Sequence, residues 1–289
     1  MAESLVLTGN RAGFGLSIGT RRVMTHAAIF ATLLIAWEIG SRTGFLDPLF
    51  YPRPSAILAS FWRVYVTQGN IWYHLFVSLG LVLAGFAAGS VLGITLGSLV
   101  GLNPVVRRFL QPYVILLEAT PRIAVAPLLI AALGFGAQSK IAIIMLVCFF
   151  APFINTLSGA VHVNEEKLEL FRSLGASKLQ ILRKLVLPEA VPVIMAGERL
   201  ALTAALSGVL VAEFIQRDQG IGALILTYTR NLNMASAFAC IFTLTIIGFL
   251  IFKGMEMLDR RIAFWSHDAG LTRVSNRRSG RWGKQGDAY

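Results

Sequence analysis

Residues 164–192 read NEEKLELFRSLGASKLQILRKLVLPEAVP, a polar stretch that lies between two long apolar runs. Asn164 is suited to cap a helix, and Glu165 and Glu166 put negative charge in its first turn, where the helix dipole favours it. Gly175 follows at the position where a left-handed residue would end that helix. In a chain that is otherwise apolar, a polar segment of this length is expected to lie outside the bilayer and to contact something there.

A second helix is predicted directly after this turn. Ser177 and Gln180 have the spacing of a capping box, and Pro188 is suited to the first turn of a further helix. The apolar residues of the two predicted helices recur at helical spacing, and they are Leu168, Phe171, Leu174, Leu179, Leu182 and Val186. A hairpin with one apolar face suits a groove in a partner protein, and it suits a lipid surface equally well.

The composition of the whole chain is that of a membrane protein. It is 55% hydrophobic and 14% charged, with a mean hydropathy of +0.67, whereas about a quarter of the residues in soluble domains are charged. A spanning helix needs roughly 20 mainly apolar residues. We therefore predict an all-α membrane protein with one domain of about six transmembrane helices. The candidate spans are residues 23–40, 75–102, 109–133, 141–161, 193–214 and 235–258.

The positive charge predicts how these spans are oriented. The net charge is +11, and Lys and Arg near the span ends are about twice as numerous on the side of the N-terminus as on the other side. Both termini are therefore expected in the cytoplasm, and the basicity needs no nucleic-acid partner. The expected layout is a flexible N-terminus (1–22), a transmembrane domain (23–258) with a cytoplasmic loop (162–192), and a basic tail (259–289). Arg273 to Lys284 could also contact anionic lipid.

The third candidate span contains charges and prolines. Glu118 and Arg122 are four residues apart and could pair on one helix face. Charged groups at the bilayer centre cost about 2.5–3.5 kcal/mol each on insertion scales, and Pro121 and Pro127 interrupt the helix beside them. Either this broken helix lines a pathway in which Arg122 faces an anionic substrate, or the two residues form a structural pair or a subunit contact.

Four other charged residues lie near span ends. Glu38 and Glu213 are expected to face water at the outer side, where this costs little. Glu198 and Arg199, near the inner end of the fifth span, form either a structural pair or part of an inner gate.

The second span carries a glycine at every fourth position. The row consists of Gly85, Gly89, Gly93, Gly97 and Gly101. Such a row lets another helix approach closely, either within one chain or between two chains.

No catalytic, metal or nucleotide site is predicted in the chain. Cys148 and Cys240 lie in separate spans without metal or redox spacing. No Gly-x4-Gly-Lys-Ser/Thr segment occurs, and no paired carboxylates or His clusters suggest hydrolysis. We expect that the chain is not an enzyme.

The hairpin residues resemble the EAA loop of inner-membrane permeases from binding-protein-dependent ABC importers. In that pattern a Glu precedes a Gly by six residues, and an aliphatic-x-Leu-Pro segment follows ten residues after the Gly. The matching residues are Glu169, Gly175, Ala176, Ser177, Leu185, Leu187 and Pro188. The two small residues that usually follow the Glu are replaced by Leu170 and Phe171.

Motifs elsewhere between residues 52 and 265 are similar to the nitrate/sulfonate/taurine branch of these permeases. They are Pro52-x-Pro54-Ser55, the segment from Pro121 to Leu128, Gly134-Phe-Gly136 with Lys140, Gly220-Ile-Gly222 and Asp259-Arg-Arg261.

The resemblance implies a type I ABC importer permease fold in the bacterial inner membrane. It implies that the loop docks on an ABC ATPase subunit that binds ATP and Mg²⁺, while this chain holds no cofactor. A second permease copy, giving a homodimer, and a periplasmic or extracellular binding protein would complete the importer of a small anionic solute. The alternative is a secondary transporter driven by an ion gradient. Internal repeats would favour it, and the two halves show no convincing repeat.

Overall fold

The computed structural model describes residues 18–264, and every regular element in this part of the chain is a helix. Three short turns are present, a π turn at Arg63–Thr67, a 3₁₀ turn at Arg122–Val125 and a second π turn at Leu182–Val186. The α-helices are α1 Ile18–Arg42, α2 Pro54–Trp62, α3 Ile71–Gly101, α4 Pro104–Ala119, α5 Ala126–Leu133, α6 Ala137–Val161, α7 Glu165–Ser173, α8 Lys178–Ile181, α9 Leu187–Gln216, α10 Ile221–Arg230 and α11 Met234–Ile262.

Five helical runs in this part of the chain are long and apolar enough to cross a membrane, and a sixth is added if α4 and α5 count as one broken span. The predicted all-α membrane fold is thereby confirmed. The predicted third span is not one straight helix, because the chain bends by 83° between α4 and α5. Thr120 and Pro121 adopt extended backbone angles, and a proline cannot supply the N–H that would continue the helix.

Helices α3, α6 and α9 form the core of the molecule. The glycine row of α3 lies directly against the backbone of α6, so the close approach that the row predicts occurs within one chain. A Cβ added to Gly93 would lie 2.7 Å from the Phe149 carbonyl oxygen, and one on Gly97 would lie 2.6 Å from that of Phe153. A glycine also allows close backbone approach between α9 and α6, since a Cβ on Gly197 would lie 2.8 Å from the carbonyl oxygen of Ala151.

The helical run from Lys178 to Gln216 is continuous over 39 residues, which corresponds to about 58 Å of helix. Pro188 lies in the first turn of α9, as predicted, but the helical run does not break there. The π turn Leu182–Val186 lies just before it, and the N–H of Leu187 bonds to the carbonyl oxygen of Leu182. This wider turn accommodates a proline that cannot donate a hydrogen bond. We call Lys178–Gln216 the long helix.

Helices α1 and α4 leave their apolar side chains largely uncovered. None of the apolar side chains of α1 from residue 23 to residue 42 is buried, and α4 has no buried residue at all. In contrast, α2 packs on α11 and buries Ile57 and Ser60. The apolar surfaces of α1 and α4 are therefore available to lipid or to another chain.

Candidate functional site

The polar stretch folds into the predicted helix, turn and helix. The Asn164 side chain accepts hydrogen bonds from the backbone N–H groups of Glu166 and Lys167, which caps α7. Gly175 follows with φ of +74°, the left-handed conformation that ends a helix. Both hydrogen bonds of the predicted capping box are present between Ser177 and Gln180.

The inner side of this hairpin is an apolar cluster. Val163, Ile181, Leu185 and Val186 are buried, and Leu168, Phe171 and Leu182 pack against them. A 2.5 Å ion pair between Lys167 and Glu189 also connects α7 to the beginning of α9. The first arm of the hairpin is thus held against the long helix, and the second arm is the beginning of that helix.

The tip of the hairpin exposes leucines instead of burying them. Leu174 is 75% exposed, Leu170 57% and Leu179 54%. Leu174 and Leu179 are therefore not part of the buried face that their spacing predicts, because the Gly175 turn directs them away from the cluster. An apolar tip of this kind is unusual for a solvated loop.

The residues of the EAA-like pattern divide into an exposed set and an inner set. Glu169, Gly175 and Ser177 are exposed, and Ala176 is half-buried beside them. Leu185 is buried in the hairpin cluster, whereas Leu187 and Pro188 are half-buried where the second arm continues as α9. The first set can contact another molecule, and the second holds the hairpin on the long helix.

Glu118 and Arg122 form no ion pair with each other, so the predicted pairing is wrong. An i,i+4 pair needs an unbroken helix, and the bend at Thr120 and Pro121 separates the two side chains. Glu118 is exposed at the end of α4, while the Arg122 guanidinium lies 4.6 Å from the centroid of the Phe150 ring on α6.

Glu198 and Arg199 are also directed to different partners. The Ser90 hydroxyl on α3 donates to Glu198 at 2.6 Å, and Arg199 pairs with Asp259 on α11. These contacts connect α9 to two neighbouring helices, so Glu198 and Arg199 do not pair with each other.

Glu213 is fully buried, which overturns the expectation that it faces water. The hydroxyl of Ser78 on α3 donates to one carboxylate oxygen at 2.6 Å, and the backbone N–H of Gly222 donates to the other at 2.7 Å. Ser78 is 135 positions away in the sequence, so spacing alone could not reveal this partner. Glu38, by comparison, is half-exposed and accepts hydrogen bonds from Ser55.

A second charged contact lies beside Glu213. Lys140 on α6 is buried and donates to the Asp218 carboxylate at 2.5 Å and to the Gln219 carbonyl at 3.1 Å. Burial alone would raise the pKa of Asp218. The hydrogen bond and charge of Lys140, with the Gln219 N–H, outweigh burial and hold that pKa below its ordinary value. The carboxylate is therefore ionised throughout the neutral range, and its stabilising effect is lost only as the pH falls through this lowered pKa.

This helical architecture agrees with a match to a known protein family. The family model described as the binding-protein-dependent transport system inner membrane component matches residues 89–264. The chain belongs to this family. It is the membrane-spanning permease subunit of an ABC importer, which confirms the resemblance of the EAA-like loop.

Two permeases illustrate the similarity. The taurine transport system permease protein TauC of Escherichia coli is 32% identical over 85% of this chain and 91% of its own length. The formylaminopyrimidine transport permease protein ThiX of Halalkalibacterium halodurans is 30% identical over 82% of this chain and 93% of its own length. The chain is thus about equally similar to two permeases whose names give different solutes, taurine and formylaminopyrimidine.

A solved structure supports the permease fold. The inward-facing MetNI methionine ABC transporter matches with a TM-score of 0.58 and 19% identity, over 65% of this chain and 93% of the other. The fold is therefore of the type I importer class. The family is an inner-membrane component that works with ATPase and binding-protein partners. Residues 1–17 and 265–289, including the basic segment Arg273 to Lys284, lie outside the described part of the chain.

Proposed function

We propose that this permease moves a small anionic solute of the sulfonate, nitrate or taurine kind into the cell. The name of TauC supports this class, since taurine is a small sulfonate. In this proposal ATP hydrolysis in a separate ATPase subunit drives the transport. ATP and Mg²⁺ are held there, and this chain has neither a catalytic site nor a cofactor. A binding protein on the outer side delivers the solute.

The hairpin at residues 162–192 is proposed as the loop that couples the permease to the ATPase. The observation that carries this proposal is its apolar tip, Leu170, Leu174 and Leu179, on a hairpin whose second arm is continuous with a membrane-spanning helix. Glu169, Gly175, Ala176 and Ser177 lie at or beside this tip and would contact the ATPase. Leu185, Leu187 and Pro188 would pass its movement to the span.

Replacing Gly175 with aspartate tests this docking surface. A Cβ at Gly175 would meet nothing within 4 Å, and aspartate tolerates the left-handed conformation better than most residues. We expect Gly175→Asp to insert normally but to lose the ATPase and ATP-dependent uptake, because it places a charge on the apolar tip. Gly44→Asp is the matched control, since Gly44 has φ of +81° and equally open surroundings, in the connection between α1 and α2.

The measurements are co-purification of the ATPase in mild detergent and uptake by proteoliposomes. Normal ATPase binding and uptake by Gly175→Asp would remove the loop from the mechanism. A wild-type chain that transports alone under an ion gradient, without ATP, would establish a secondary transporter instead.

For the pathway, we propose that the break between α4 and α5 lines the route of the solute and that Arg122 provides its positive charge. Glu118 would lie at the mouth of the same route. Arg122 is half-buried on Phe150, directly after the extended residues Thr120 and Pro121. We expect Arg122→Gln to reduce solute affinity with little change in expression. Unchanged affinity and uptake rate would contradict this role.

We further propose a homodimer with both termini in the cytoplasm. The exposed apolar surface of α4, on which Phe109, Leu116 and Leu117 are more than half exposed, supports contact with a second copy. Native mass spectrometry tests the dimer. Labelling of single cysteines at positions 44 and 175 from either side of the membrane tests the orientation, because only position 175 should react from the cytoplasm.

A further inference from the structure

At the end of the bundle opposite the hairpin, the first turn of α10 is held by side chains from other helices. Three successive backbone N–H groups have such partners. That of Gly220 donates to Nδ1 of His74 at 3.1 Å, and that of Ile221 donates to the Ser78 hydroxyl at 2.8 Å. The N–H of Gly222 donates to Glu213. An α-helix leaves its first N–H groups without partners of its own, and here α3 and α9 supply them.

The Glu213 carboxylate is the centre of this arrangement. It accepts from Ser78 and from Gly222, and it lies at the N-terminal end of α10. No side chain fits at positions 220 and 222. A Cβ on Gly222 would lie 2.9 Å from Cβ of Glu213, and one on Gly220 would collide with the carboxylate itself. Both glycines are thus required for the carboxylate to reach the α10 backbone.

The connection between α9 and α10 is attached to α6 as well. Lys140 contacts Asp218 and the Gln219 carbonyl. The Gln216 side chain donates to Ser139 at 2.9 Å and accepts from the Gly136 N–H at 2.8 Å. We call this set of contacts, from His74, Ser78, Lys140 and Glu213 to residues 216–222, the α10 clamp.

The clamp and the hairpin lie on the same helix. Glu213 is located in the last turn of the long helix, which begins at Lys178 in the second arm of the hairpin. The run has no interruption in between. A displacement of the hairpin therefore reaches the α10 clamp through one continuous helix.

We propose that Glu213 is a positioning residue that makes α10 move with the long helix, so that nucleotide-driven movement of the hairpin is transmitted to α10 at the opposite end of the permease. This inference rests on the proposed function, because it assumes that the hairpin is driven by an ATPase. It assigns α10 to the moving parts of the permease, and it requires the carboxylate of Glu213 for that movement.

The test uses the complex of the permease with its ATPase and binding protein in proteoliposomes. In Glu213→Gln only one acceptor oxygen remains, so the Ser78 hydroxyl and the Gly222 N–H can no longer both donate to this side chain. We expect ATPase activity without binding protein to stay within about twofold of wild type, while the ATP hydrolysed per solute transported rises about tenfold. Glu38→Gln is the matched control, because Glu38 accepts hydrogen bonds from Ser55 in the α1–α2 region, away from the long helix.

Hydrogen exchange provides a readout that a merely structural role would not change. In the wild-type complex, a non-hydrolysable ATP analogue should alter amide exchange both in the hairpin (164–188) and in residues 220–230. In Glu213→Gln the analogue should alter exchange in the hairpin alone. Gly222→Ala provides a second variant, since its Cβ would displace Glu213 without removing the carboxyl group.

The outcomes separate the two proposals. A wild-type complex without ATP-dependent uptake overturns the proposed function, and the inference with it. If the wild type transports, then an unchanged ATP-to-solute ratio in Glu213→Gln overturns the clamp alone. The clamp proposal is also overturned if the ATP analogue does not change amide exchange at residues 220–230 of the wild type. This result does not depend on whether either variant folds.

Discussion

The α3–α6–α9 core and the outlying helices α1 and α4 solve the problem of packing in lipid differently. In the core, glycines bring helix backbones into direct contact, as at Gly97 and Phe153. In α1 and α4, large apolar side chains such as Leu33 and Phe109 remain more than 60% exposed. Lipid is as apolar as these side chains, so only close backbone approach and polar contacts hold helices together. The helices of the core therefore cover one another within one chain, whereas the apolar surfaces of α1 and α4 stay uncovered.

The strongest way to break the core is to fill its closest contact. We expect Gly97→Val to destabilise the protein by about 3 kcal/mol, because overpacking forces the backbones apart. Unfolding in mixed micelles with increasing dodecyl sulfate would measure this change. Gly80→Val on the same helix is the matched control, since a Cβ there meets nothing within 4 Å. Equal destabilisation by both variants would show that the close contact is not what holds the core.

Removing a buried hydroxyl should have the next largest effect. Ser90→Ala leaves the carboxylate of Glu198 without its hydrogen-bond donor, which should cost about 1–3 kcal/mol. Ser207→Ala should cost under about 0.5 kcal/mol, because that exposed hydroxyl bonds only to the backbone of its own helix. The same unfolding titration compares the two variants, and similar losses would rule out a special role for Ser90.

The contact between Arg122 and Phe150 joins the bent segment to the core, and its effect should be smaller. A cation–π contact contributes about 0.5–1 kcal/mol at a partly exposed site. A double-mutant cycle of Arg122→Gln and Phe150→Leu should give a coupling of this size. A coupling of zero would mean that Arg122 is held by the backbone bend alone.

The smallest effect is expected in α1. Leu33→Ala should change the stability of the isolated permease by less than about 0.5 kcal/mol, since Leu33 is 64% exposed. Leu202→Ala removes the same atoms from a side chain that is 3% exposed, and it should cost about 2 kcal/mol or more. A large loss from Leu33→Ala in the isolated chain would contradict the distinction between the core and α1.

Features that depend on neighbouring residues were predictable from the sequence. The cap at Asn164, the left-handed turn at Gly175 and the capping box at Ser177 involve atoms within a few residues of one another, and all three are present. The interruption of the third predicted span was also predictable, because a proline disrupts the helical turn next to it. The size of the bend, 83°, depends on packing against α6 and was not.

Features that depend on distant residues were missed or misread. Glu213 has the sequence context of a water-facing residue, yet Ser78, 135 positions away, lies against it. The partner of Lys140 is 78 positions away. The glycine row indicated a close helix contact but not its partner. The only sequence signal for the α10 clamp is the pair of glycines at 220 and 222, which becomes meaningful once a carboxylate is known to lie between them.

The position of Gly197 has a mechanical consequence for the long helix. Gly197 lies midway between Lys178 and Gln216, and it is where the helix backbone approaches α6 most closely among the glycines of α9. If the long helix tilts around this contact, it acts as a lever with two equal arms, each about 28 Å long. A tilt of about 10° around Gly197 would move each end by ~5 Å in opposite directions. Residues near the fulcrum would barely move, so a bulky side chain at 197 would shift the pivot and make the two strokes unequal.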